Sequence, residues 1–196
     1  MTASRSQGQT PAIGHKKGPS MEPGHGFRRH AWAKARAALL PQLPLNVIKR
    51  RVARAREIGL DYRIYATVRA TTGRDIIGFL FSSNALRLHL ASHRMAGDRA
   101  IHLARVHGCD RIALLHPPHT KCATGDPLDA AHPAPAPFAL WRDQRAEVLD
   151  ILRRRGLPAD GVILIGDPPF EREWCSAARL AGYVPQNRFF GPPPQV

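Results

Sequence analysis

Two short runs of this chain are apolar at almost every consecutive position: Arg111-Ile-Ala-Leu-Leu-His116 and Gly161-Val-Ile-Leu-Ile-Gly166. Successive side chains on a strand point to opposite faces, so a strand with one wet face alternates apolar and polar residues. A run that does not alternate is covered on both sides, as strands of a parallel sheet are. Segments with helical spacing of apolar residues flank both runs. Alternation of helix and buried strand predicts an α/β fold, a small parallel or mixed sheet with covering helices. Two parallel strands are not stable alone. Residues 61–83 therefore supply further strands, another strand lies elsewhere, or a second copy of the chain completes the core as a homodimer.

Ahead of this α/β domain, residues 61–190, lie two basic regions. Residues 1–27 are Gly, Pro, Ser, Gln and Lys with little apolar content, and read as a disordered basic tail. Residues 28–60 read as a basic helical region. Its first part, 28–40, is rich in helix formers and is stopped by Pro41 and Pro44. In its second part Asn46 is a suitable N-cap and Gly59 a suitable stop. Ile48, Val52, Ala55 and Ile58 repeat there at helical spacing, while Lys49, Arg50, Arg51, Arg54 and Arg56 fill most of the remaining surface. Residues 191–196 form a Pro-rich tail.

Residues 61–90 admit two readings. Capping signals favour helices: Asp61 before Tyr62–Thr72, Gly73 after it, and Asp75 before a second helix from Ile76 to Leu90, in a helix-turn-helix arrangement. The β-branched and aromatic content favours a hairpin, with Ile76–Phe81 as a buried strand. We adopt the helices. Further on, Asp98 caps a helix that runs to about Val106 and is ended by Gly108. A Pro-, Ala- and His-containing loop follows the first apolar run. Residues 138–155 form a helix with Leu140, Trp141, Val148, Leu149 and Leu152 on its apolar face, and 170–180 form the last helix.

Charge is the strongest functional signal. Residues 1–74 carry 15 Lys or Arg and only Glu22, Glu57 and Asp61 as acids, whereas residues 75–196 carry 14 basic and 12 acidic residues. That asymmetry directs a positive field from one part of the molecule toward polyanions. The expected phosphate contacts are Arg28, Arg29, Lys34, Arg36, Lys49, Arg50, Arg51, Arg54 and Arg56. The segment from Ile76 is too apolar to read base edges, so binding to DNA or RNA is expected to be non-specific. Cys109, Cys122 and Cys175, odd in number and widely spaced, make no disulfide framework and fit a reducing, cytoplasmic compartment. No stretch reaches the ~20 apolar residues of a membrane span.

The alternative reading is a small α/β hydrolase or transferase. Both apolar runs end in similar ways, His116-Pro117-Pro118 and Asp167-Pro168-Pro169. Ligands bind at the carboxyl ends of parallel strands. There His116 and Asp167 could meet as a general base and its orienting carboxylate. His119 and Cys122 have spacing compatible with zinc, with His107 and Cys109 as a tight second pair. Ser82-Ser83-Asn84 could cap a helix or line a pocket. Cys175 beside Trp174 reads as a small buried apolar group. No GxxxxGK[ST] or GxGxxG phosphate cradle is present.

Overall fold

The structure, a computed structural model, describes residues 43–122 and 127–191. The predicted tail 1–27, the predicted helix 28–40 with Arg28, Arg29, Lys34 and Arg36, and the end of the chain from 192 lie outside the described residues.

Helix α1, Leu45–Glu57, starts two residues earlier than its capping signal suggests. Pro44 occupies the cap position, and its carbonyl accepts from the N–H groups of Val47 and Ile48 at 2.9 and 3.1 Å. Asn46 therefore lies in the first turn and not at the cap. Ala55, Ile58 and Leu60 are buried in the core beneath the sheet, so α1 packs into the compact unit that begins at Pro44. Helix α2, Tyr62–Thr72, forms as its caps predict. Asp61 accepts from the N–H groups of Arg63 and Ile64 at 2.8 and 3.4 Å, and Gly73 takes the left-handed φ of 72° that ends the helix.

Beyond Gly73 the helix-turn-helix expectation fails. Gly78–Ser82 is strand β1, buried at all five positions, and only one helical turn, α3 at Ser83–Leu86, follows it. Asp75 caps no helix, because its carboxylate is drawn away to Arg54 and Tyr65. The chain continues through α4 (Gly97–Leu103), β2 (Asp110–Leu115), β3 (Ala130–Pro133), α5 (Trp141–Arg154), β4 (Val162–Gly166), α6 (Glu171–Ala178), β5 (Gly182–Pro185) and α7 (Gln186–Phe189). Among the described residues all five strands are parallel, in the order β3-β2-β1-β4-β5. β1 is the centre, with Leu80 opposite Ile112 on one side and Leu164 on the other.

Alternate side chains of the central strands feed two cores. Phe79, Phe81, Ala113, Leu115, Ile163 and Ile165 face α1, α2, α3, α4 and α7. Leu80, Ile112, Leu114, Val162 and Leu164 face α5 and α6. The connection from β1 to β2 uses the first layer, and those from β3 to β4 and β4 to β5 use the second. Crossovers of one hand change layers when the direction of strand addition reverses. The reversal falls between β1 and β4.

Helix α5 begins at Trp141, three residues later than expected, and its buried face is Gln144, Val148, Ile151 and Leu152. Leu140 and Trp141 are exposed and not in the core, because Phe138, at φ 62°, turns the chain just before the helix. Asp98 sits in the first turn of α4 without capping it, and Ala96 takes the cap position. Among the described residues, no helix is long and apolar enough to cross a membrane.

Candidate functional site

The reversal between β1 and β4 falls at the carboxyl edge of the sheet where open α/β sheets bind ligands. Three strand ends deliver polar side chains to that edge: Ser82 at the end of β1 with Ser83 and Asn84 after it, His116 after β2, and Asp167 after β4. His116 and Asp167 do not meet, because β1 lies between their strands. The acid that reaches His116 is Glu171, from the first turn of α6, with Oε1 3.5 Å from Nε2. Asp167 is exposed and accepts instead from Nε2 of Gln186 at 3.0 Å. Gln186 Oε1 in turn accepts from the buried Arg99 at 2.6 Å.

Glu171 is fully buried. Its Oε1 accepts from Nδ2 of Asn84 at 2.9 Å and its Oε2 from the backbone N–H of Asp167 at 2.8 Å. Burial pushes the carboxyl above its ordinary range, against the pull of these two donors and of the nearby Ser82 hydroxyl. Room for the carboxylate comes from Gly166, where a Cβ would stand 2.5 Å from Oε2 and 2.7 Å from the Tyr183 ring. On the other side, Ser83 Oγ accepts from the His116 backbone N–H at 3.1 Å and lies 3.0 Å from His116 Nδ1. With the hydroxyl donating to Nδ1, Nε2 carries the ring proton and faces Glu171. The imidazole stacks on Trp174 at 5.1 Å and meets Phe170 edge-on at 5.7 Å. Serine and imidazole are thus hydrogen-bonded, while Nε2 stands buried 3.5 Å from the carboxyl without a hydrogen bond to it.

Sequence reasoning missed Glu171. Its one signal is an acid a helical turn beyond the Asp167-Pro168-Pro169 strand end. Ser83 falls within the Ser-Ser-Asn run, but a local reading cannot see that it faces His116.

The candidate zinc ligands are spread along β2. His107 and Cys109 precede the strand and His116, His119 and Cys122 follow it, so the two pairs are separated by six residues of strand, about 20 Å. His119 donates its backbone N–H to the His116 carbonyl at 2.9 Å in a turn. Among the described residues no three His, Cys, Asp or Glu side chains gather as a metal site. Burial pushes the Cys109 thiol up to about 12 and the Cys175 thiol up to about 11, so both stay protonated.

Three imidazoles are held below their ordinary range, chiefly by burial: His102 with Arg99 and Arg105 adding to the effect, His116 with His119, and His132 with Arg154 and Arg155. A lowered value means that the unfolded chain binds the proton more tightly. The stability from these groups is present above the ordinary imidazole range and lost as pH falls through it. The melting temperature is therefore expected to drop between about pH 7.5 and about pH 5.5. Calorimetry across that interval checks this, and a flat or rising profile contradicts it. Glu171 acts in the opposite sense, since its raised value favours the folded state at low pH.

The basic residues of α1 lie at the other edge of the sheet and divide into two stripes. Arg54 is held by the structure. It reaches Asp75 at 3.1 Å, Glu57 at 2.9 Å, and the carbonyls of Ile76 and Gly108 at 3.1 and 2.9 Å, just ahead of β1 and β2. It therefore clamps the entry of both strands and is not a free phosphate contact. Among the described residues, no carboxylate pairs with Lys49, Arg50, Arg51 or Arg56, and all but the half-buried Arg51 are exposed. Arg50, Arg51 and Arg54 share a flank of α1 and, with Tyr65, Arg69 and Asp75, line a cavity of about 400 Å³ between α1 and α2. Arg69 stands 3.7 Å from Asp75, and Arg74 pairs with Asp160 at 2.7 Å.

No protein-family model, curated protein or solved structure matches the chain.

Proposed function

We propose that the protein binds nucleic acid non-specifically, by phosphate contacts from the exposed flank of α1. The observation that supports this is the unpaired charge. Lys49, Arg50, Arg51 and Arg56 project from one helix with no carboxylate partner among the described residues. A helix whose cations served only as a solvated surface would be expected to carry compensating acids at i±3 or i±4. Here Glu57 is the one acid of α1, and it is engaged by Arg54.

Neutralising four phosphates releases their counterions, so affinity falls with salt. Raising salt from 50 to 200 mM should weaken binding roughly 50- to 150-fold, with the larger value for duplex. Arg56→Gln should reduce the slope by about one contact. Fluorescence anisotropy with random-sequence DNA and RNA at rising salt measures both. No binding of either at the lowest salt removes the proposal.

A second reading, a small α/β hydrolase or transferase, draws on the proximity of Ser83, His116 and Glu171 at the carboxyl edge of the sheet. In it His116 moves the proton and Glu171 orients the ring, the part first assigned to Asp167. If an ester- or phosphoester-cleaving activity is detected, His116→Ala should remove it. An unchanged activity in that variant excludes this site.

A further inference from the structure

We propose that the cavity between α1 and α2 is a site for a phosphomonoester, the terminal phosphate of a strand or of a small phosphate ester. This rests on the reading of α1 as a phosphate-contacting surface and narrows it to one ligand chemistry.

The cavity, about 400 Å³, lies within the range of small-molecule sites. Among the described residues, four guanidinium groups line it, against the single carboxylate of Asp75. Arg54 is immobilised by its two carboxylates and two carbonyls, and it forms a fixed wall. Asp75 is likewise occupied: it accepts from the Tyr65 hydroxyl at 2.8 Å and from Arg54. Arg50 and Arg51 have no carboxylate partner among the described residues, and Arg69 has only a 3.7 Å contact. Three planar forks from two helices therefore remain to bind a ligand, and such forks match phosphate oxygens.

The charge selects the ligand. A phosphodiester inside a strand carries one charge on two free oxygens. A phosphomonoester carries about −1.5 to −2 on three. Three available guanidinium groups on a concave wall suit the second. Backbone phosphates fit the convex stripe of Lys49 and Arg56 outside the cavity.

The test compares a single-stranded 12-mer with hydroxyl ends against the same 12-mer carrying a 5′-phosphate, using the full chain and fluorescence anisotropy. Adenosine 5′-monophosphate and adenosine are compared by thermal shift. The expected result is about tenfold tighter binding of the phosphorylated strand. That preference should vanish in the Arg50→Gln/Arg51→Gln variant. It should survive in Arg56→Gln, which weakens both strands alike. If neither strand binds but the monophosphate raises the melting temperature where adenosine does not, and the double variant abolishes the shift, the cavity serves a free phosphate ester. The inference then stands while the nucleic-acid proposal falls. Equal binding of both strands, weakened equally in the double variant, overturns the inference and leaves the nucleic-acid proposal in place. No response to any probe overturns both.

Discussion

Replacing Glu171 with alanine is expected to lower the unfolding free energy by about 3 kcal/mol or more. The side chain is fully buried and takes hydrogen bonds from Asn84 and the Asp167 backbone. Its removal leaves two donors with no acceptor, and each unsatisfied buried group costs about 1–3 kcal/mol. The melting temperature should fall by about 6–12 °C. Glu171→Gln keeps the volume and one acceptor oxygen but turns an amide N–H₂ toward a donor, so it should cost roughly half as much. Calorimetry on the two variants separates loss of shape from loss of charge. A fall under about 1 kcal/mol for alanine would mean the carboxylate does not tie the three strand ends together.

The second large effect belongs to Trp174, which is 1% exposed between the sheet and α5. Trp174→Ala is expected to cost about 3–5 kcal/mol, the loss of transfer energy plus the void left behind. The indole also covers His116 and packs against Phe170 at 6.0 Å. Uncovering the imidazole relieves the desolvation that holds its protonation down. An NMR titration of His116 should therefore move upward in the variant while overall stability falls. An unmoved titration would show that some other part of the site keeps the ring neutral. Trp174→Phe should show both effects in weaker form.

The parts of this fold legible in the sequence are those whose local pattern and tertiary role agree. β2 and β4 are visible because both of their faces are covered, which leaves no alternation to confuse. α2 is visible because Asp61 and Gly73 act on their own helix. β1 is harder: Asp75 resembles a helix cap, yet Arg54 and Tyr65 claim its carboxylate, and two flanking strands claim Gly78–Ser82. β3 and β5 pair with one neighbour each, and Ala130-Ala-His-Pro133 and Gly182-Tyr-Val-Pro185 have little strand character of their own. The free hydrogen-bonding edges of β2 and β4 define them, and those are distant in sequence.

The candidate site divides in the same way. Helical spacing identifies the cations of α1 but not which of them are bound: Arg54 is structural because Asp75 and Gly108 come to it across the fold. His116 is visible as the end of a strand. Its partner is not, since whether Asp167 or Glu171 reaches it depends on β1 standing between β2 and β4.

The outermost strands, β3 and β5, are four residues long and each ends in proline. Proline offers no N–H, and so short a rim presents few open groups to an incoming chain. A foreign strand seeking to extend this sheet finds little to zip onto. Crowded copies of the protein are thereby discouraged from stacking edge to edge into fibrils, whatever their concentration of positive charge attracts.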